Sequence, residues 1–171
     1  VSRHFARGPT LHVRDQRSHV AVWSASDEAL PAEPQWAVQF DFQLTGELIY
    51  KAAEDGAVFG LKRGSIYSAE FLPLVHVDNV EVAGAPVTLL GLGETLATDL
   101  SPNQWHRLVI QRDGTTWSFF LADQLRKSVT DRGTDYRGYA FGSFRNWYHV
   151  AQDIHYANFR IGRATGPGSA P

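Results

Sequence analysis

The chain has 171 residues, 43% of them hydrophobic and 20% charged, and a formal net charge of −2, which fits one soluble globular domain with a full core. Its Lys and Arg are scattered rather than gathered into a basic stripe, so no nucleic-acid partner is expected; no apolar run approaches the roughly 20 residues of a membrane helix, so no membrane insertion is expected. Cysteine is absent, which excludes disulfides, thiolate metal sites and a cysteine nucleophile.

In chain order, the sequence reads as short strands punctuated by turn residues. His19 to Trp23 alternates. Trp36 to Leu44 alternates over nine residues, with Trp36, Val38, Phe40, Phe42 and Leu44 on one side and Ala37, Gln39, Asp41 and Gln43 on the other, so one face is buried and the other is wet or lines a cleft. Leu48 to Ala52, the turn Glu54-Asp55-Gly56, Val58 to Gly64, then SIYSAEFL, LVHVDNVEVAG and PVTLLGLG continue the pattern. Trp105 to Arg112 runs into Asp113-Gly114, a strong hairpin signal, and Trp117 to Leu121 returns. His155 to Ile161 reads as the last strand, and residues 164–171 as a flexible tail or linker after a single domain over 1–163. Ser26 to Leu30 and Leu121 to Ser128 offer the nearest approach to helices, but neither sustains apolar spacing of three and four. Ten to twelve short strands predict an all-β, two-sheet antiparallel sandwich.

The segments GELIYKA, VFGLKRGSIY, QWHRLVIQRDGTTWSFFLADQ and DIHYANFRIG, spread over Trp36 to Gly162, resemble the concanavalin A-like lectin/glucanase superfamily, especially its laminin G-like branch. The resemblance implies a jelly-roll sandwich, a scaffold shared by lectins, binding modules, hydrolases and lyases. The Glu-x-Asp-x-Glu strand of the glucanases is missing. So are the Arg-x-Glu-Leu, Gln-x-His and Tyr-Phe-Lys-Ala-Gly motifs of the alginate lyases. The nearest acid pairs, Asp27-Glu28 and Glu54-Asp55, are sequence neighbours that would face opposite sides of a strand. A glycosidase needs two carboxyls about 5 to 9.5 Å apart on one side of the substrate, so an acid-pair hydrolase is disfavoured.

Trp36, Phe40, Phe42, Trp105, Trp117 and Phe119 read as core. Phe159 and Ile161 alternate inward on the last strand, which leaves Tyr156 for the opposite face or a rim. The stretch from Asp131 to Gln152 differs, because it interleaves aromatics with arginines and has no sustained alternation. Long irregular segments are often functional. An aromatic face stacks on the apolar face of a pyranose, while guanidinium and amide forks bind hydroxyls or a carboxylate. This picks out Trp147 and Tyr148 for stacking, Arg137, Arg145 and Asn146 for polar recognition, and Tyr136 and Tyr139 for the rim.

None of the seven histidines has the spacing of a zinc site, and His106 reads as structural. A lyase would need a His or Tyr base and an arginine against a uronate carboxylate; His76, Tyr148, Arg145 and His149 are the candidates. Asp41, Asp78 and Asp153, with Asn79 and Asn158, are candidate oxygen ligands for a structural calcium, the rival role being turn capping. No other cofactor is expected.

The leading expectation is a carbohydrate-binding module that recognises a polysaccharide or glycan, secreted or at the cell surface, with a catalytic domain as a neighbour in a longer chain. A chain opening on Val1 and lacking Met reads as a processed or excised module. The alternative is a polysaccharide lyase or glycoside hydrolase acting on an acidic or rhamnose-containing polymer. A third reading is a laminin G-like protein-interaction domain.

Overall fold

Twelve strands, and no helix, form among the residues that the computed structural model describes: 11–15, 22–23, 34–45, 57–62, 71–78, 84–131, 136, 138–141 and 152–169. They are β1 (Leu11–Asp15), β2 (Val22–Trp23), β3 (Gln35–Leu44), β4 (Ala57–Lys62), β5 (Phe71–Val77) and β6 (Val87–Gly91), followed by β7 (Glu94–Leu100), β8 (Trp105–Asp113), β9 (Thr116–Leu121), β10 (Gln124–Thr130), β11 (Gly138–Phe141) and β12 (Gln152–Arg163). Sheet A runs β1-β12-β3-β8-β9-β10 and sheet B runs β2-β11-β4-β5-β6-β7, with every pairing antiparallel. The expected two-sheet sandwich is therefore the observed architecture.

The sheets are held together by aromatic side chains that strand alternation turns inward. Phe40 on β3 meets Phe59 of β4 (ring centroids 5.3 Å apart), Phe141 of β11 (5.6 Å) and Tyr156 of β12 (6.0 Å). Trp36 meets Trp117 edge to face at 5.5 Å. At Gly91 on β6 the sheets approach so closely that a Cβ would lie 3.0 Å from both Leu96 and Phe119, so that position admits no side chain without displacing Phe119.

Two irregularities change which residues face inward. On β12 the register with β3 shifts between Ala157 and Arg160, and Asn158 adopts φ +53°. This bulge restores the inward direction one residue late, so Tyr156 enters the core and Phe159, half-buried, packs against it. Tyr156, expected on the opposite face or a rim, is 2% exposed and donates its hydroxyl proton to the Val58 carbonyl (2.7 Å). Asn158 donates from Nδ2 to the Asp41 carboxylate, which also receives Arg107 Nε at 2.9 Å. A second bulge lies on β5, where Phe59 pairs with Val75 and Gly60 with Pro73.

Trp105, expected in the core, is 47% exposed. Leu108 and Ile110 point inward on β8, which assigns His106 to the inner side and Trp105 to the outer. His106 lies 5.7 Å from the Phe42 ring, and its Nε2 donates to the Ser101 carbonyl (2.9 Å), a structural role. The segment Leu121–Ser128 closes a hairpin instead of forming a helical turn. Its two loop residues, Ala122 and Asp123, take φ +50° and +62°, the left-handed pair that tight hairpins require. Ser26 to Leu30 lies outside the described residues.

Residues 164–169, expected as part of the tail, lie on the outer face of sheet A. There the Gln111 side-chain amide donates to the Gly166 and Ser169 carbonyls, and Gly168 sits against Phe120.

Replacing Phe40 by Ala removes the ring shared by both sheets and is expected to cost about 3–5 kcal/mol, read as a shift in the urea midpoint. Asn158→Ala is expected to cost about 1–2 kcal/mol, because it forces alanine into the left-handed region and removes a bond to Asp41; Asn158→Asp is expected to restore only the backbone preference.

Candidate functional site

On sheet B, Val75 pairs with Gly91 and Val77 with Leu89, and all four belong to the buried interior. His76, between the two valines, pairs with Leu90 and therefore points to the outer face. Across β4 its partner is Ala57. Asp78 has the same parity as His76 and is half-buried; its N–H donates to the Thr88 carbonyl at 2.9 Å. Thr88 and Leu90 on β6 share this face and are half-buried. On the other flank, Ala140 of β11 pairs with Gly60 of β4 on one side and with Trp23 of β2 on the other, and Gly138 pairs with Lys62. Gly60 and Gly138 are both buried, and a glycine inside a strand lets a ligand or another stretch of backbone approach closely.

His76 is only 9% exposed, and its Nδ1 has no hydrogen-bond partner among the described residues. A buried ring nitrogen without a partner is unusual in a folded protein. Burial holds its pKa below the ordinary 6.5, and the Asp78 carboxylate opposes that shift in part. The ring is therefore neutral at neutral pH, with one nitrogen able to take a proton.

The remaining sequence candidates divide. Tyr139, expected on a ligand-binding rim, is 6% exposed and lies among Phe59, Phe141 and Phe159 inside the sandwich. Its inward direction follows from pairing with Leu61. Tyr136 is half-buried and leans on the same core. The Tyr139 ring serves packing, so its assignment to a rim is corrected. Arg137, Arg145, Asn146, Trp147, Tyr148 and His149 lie outside the described residues.

Among the described residues the calcium candidates do not form one ligand set. Asp41 is on sheet A, where its carboxylate is taken by Arg107 and Asn158; a guanidinium at that distance competes directly with a cation. Asp78 is on sheet B beside His76, and Asp153 is on β12 opposite Arg14. Asn79 lies outside the described residues. No three metal-ligating side chains converge among the described residues.

Composition and spacing did not single out Gly60 and Gly138 as a site floor, or Asp78 as an electrostatic partner of His76. The alternation in Leu-Val-His-Val-Asp does carry the signal, since it puts histidine and aspartate on one face between inward valines.

No protein-family model matches the chain, and no curated protein matches it. Solved structures do. An endo-β-1,4-glucuronan lyase from the fungus Trichoderma reesei is 12% identical, with a TM-score of 0.52 over 97% of this chain and 81% of that one. The alginate lyase AlgAT5 of polysaccharide lyase family 7 is 14% identical, with a TM-score of 0.53 over 76% of this chain and 59% of that one. A Trypanosoma rangeli sialidase is 10% identical, with a TM-score of 0.56 over 78% of this chain but 21% of that one. The chain thus spans about three fifths of the alginate lyase and about a fifth of the sialidase. The likeness is one of fold, a two-sheet antiparallel jelly roll.

The pH dependence of stability follows from His76. Its folded pKa lies below the unfolded value, so as pH falls the unfolded chain takes up the proton first. Stability is fully present above about pH 6.5 and is lost as pH falls through the folded pKa. Urea midpoints measured at about pH 7.5 and about pH 5.5 are expected to drop further in the wild type than in His76→Gln.

Proposed function

We propose that the chain is a lyase of the concanavalin A-like fold that cleaves a uronate-containing polysaccharide, with His76 as the proton-accepting base. The observation that carries this reading is a desolvated imidazole, its buried Nδ1 without a hydrogen-bond partner among the described residues, on the outer face of a sheet whose neighbouring strands carry glycine and alanine. A binding module has no use for a destabilising histidine at the floor of its face; a general base near neutrality does. The similarity to glucuronan and alginate lyases supports the same direction, and this reading takes precedence over the sequence-based expectation of a binding module.

In the proposed reaction His76 removes the proton from the carbon bearing the uronate carboxylate. The electron pair forms a carbon–carbon double bond, and the glycosidic oxygen on the adjacent ring carbon leaves with a proton from a general acid. Positive charge opposite the carboxylate stabilises the developing enolate. Arg145 is proposed for that charge, and Tyr148 or His149 for the acid. Phe141, the last residue of β11, pairs with Phe59, two residues along β4 from the Ala57 that pairs with His76. The uronate polymer is the proposed partner, and secretion or display at the cell surface suits a polymeric substrate.

The test is ultraviolet absorbance of the unsaturated product across a panel of uronate polymers. Wild type is expected to generate it, and His76→Ala to reduce the rate by about 10² to 10⁴-fold with the circular dichroism unchanged. The acid limb of the rate profile is expected below the ordinary histidine value and lower still in Asp78→Asn, since Asp78 raises the His76 pKa. Polymers that bind without any unsaturated product would return the chain to the binding-module reading.

A further inference from the structure

The outer face of sheet A, remote from His76, is divided. At one end the stretch 164–169 lies over Phe120 and Gln111, and Val109 and Gln39 are 1% and 7% exposed. At the other end Trp105 stands nearly half exposed at the start of β8. Exposing that much indole is unfavourable in water, and the ring's neighbours on this face are polar. Cross-strand pairing aligns Trp105 with Gln43 on β3 and His155 on β12, a row spanning about 10 Å at the usual strand spacing. The next row places Arg107 against Asp41. Arg107 donates to the two Asp41 oxygens from Nε (2.9 Å) and Nη2 (3.4 Å), which fixes the guanidinium, while the Gln43 amide donates to the Asn103 carbonyl at 2.9 Å.

The composition of this surface selects its occupant. Stable protein interfaces bury about 800 Å² per partner around an apolar core of several anchors. Among the described residues the only other large apolar side chain left exposed is Leu125, on β10, with β9 intervening. A single flat ring flanked by an amide, an imidazole and a fixed guanidinium–carboxylate pair is instead the size and chemistry of a sugar platform. The π face takes the C–H side of a pyranose, and the planar groups take its hydroxyls.

We propose that Trp105, with Gln43 and Arg107, forms a second polysaccharide-binding surface on the sheet opposite the His76 face. Its ligand class, a uronate polymer, rests on the reading above. Two sites on one domain raise the effective concentration of polymer at the catalytic face.

Calorimetric titration with a uronate oligosaccharide tests this. Wild type is expected to bind two equivalents. Trp105→Ala, folded by circular dichroism, is expected to bind one, with the second site weakened about tenfold or more, and Trp105→Phe is expected to keep two at reduced affinity. Indole fluorescence is expected to respond to ligand in the wild type and to lose that component in both variants. Fewer than two equivalents in the wild type, or an unchanged second site in Trp105→Ala, would overturn the proposal whatever the activity. Light scattering in which Trp105→Ala dissolves a dimer would also overturn it, assigning the ring to self-association. Two-site binding without unsaturated product would instead remove the lyase reading and leave this surface standing.

Discussion

The inward aromatic layer is the constraint on which everything else depends. Phe40 touches rings from three other strands drawn from both sheets, and each of those rings commits its strand to one parity. Once Phe59 faces Phe40, Val75 and then Val77 must face inward on β5, and His76 has nowhere to point but away from the core. The histidine's position is thus a by-product of packing in the layer beneath it. A one-residue slip of β5 would bury the imidazole among phenylalanines and expose two valines. The bulges guard against that slip, because they pin register at defined points.

The same strand parity separates two outer faces with different chemistry. Sheet B presents a desolvated histidine, a half-buried aspartate and two strand glycines, Gly60 and Gly138. Sheet A presents an exposed indole, an amide and a pinned guanidinium, with residues 164–169 lying over Gln111 and Phe120. The Asp41 carboxylate joins the two levels of organisation. It holds the Asn158 bulge, which turns Tyr156 into the core, and it holds Arg107 on the surface. A carboxylate so engaged is a structural member and not a cation ligand.

Much of the fold was legible because strand alternation is a local property. Trp36 to Leu44 and Trp105 to Arg112 read correctly as strands, and the hairpin signal at Asp113-Gly114 sits where β8 turns into β9. Trp105 was misread because aromatic residues dominate sandwich cores, although the inward pair Leu108 and Ile110 already required it to face out. Tyr156 was misread for the opposite reason: strict alternation from Phe159 and Ile161 is broken by a bulge, and its one local sign is an asparagine able to adopt a positive φ. Tyr139 looked like part of a sugar-binding loop because the short strand β11 interrupts a stretch otherwise rich in polar and aromatic residues. The candidate site was the least legible part, since it depends on which residues from β4, β5, β6 and β11 come side by side, and sequence spacing carries no record of that.

The central claim is that His76 is a neutral base on a substrate-binding face. Its most direct test is nuclear magnetic resonance of the His76 imidazole, titrated with acid and then with a uronate oligosaccharide. The account predicts a midpoint below the ordinary histidine value of 6.5, together with ring resonances that move when the sugar is added. An imidazole that titrates at or above that value and ignores the sugar would contradict it.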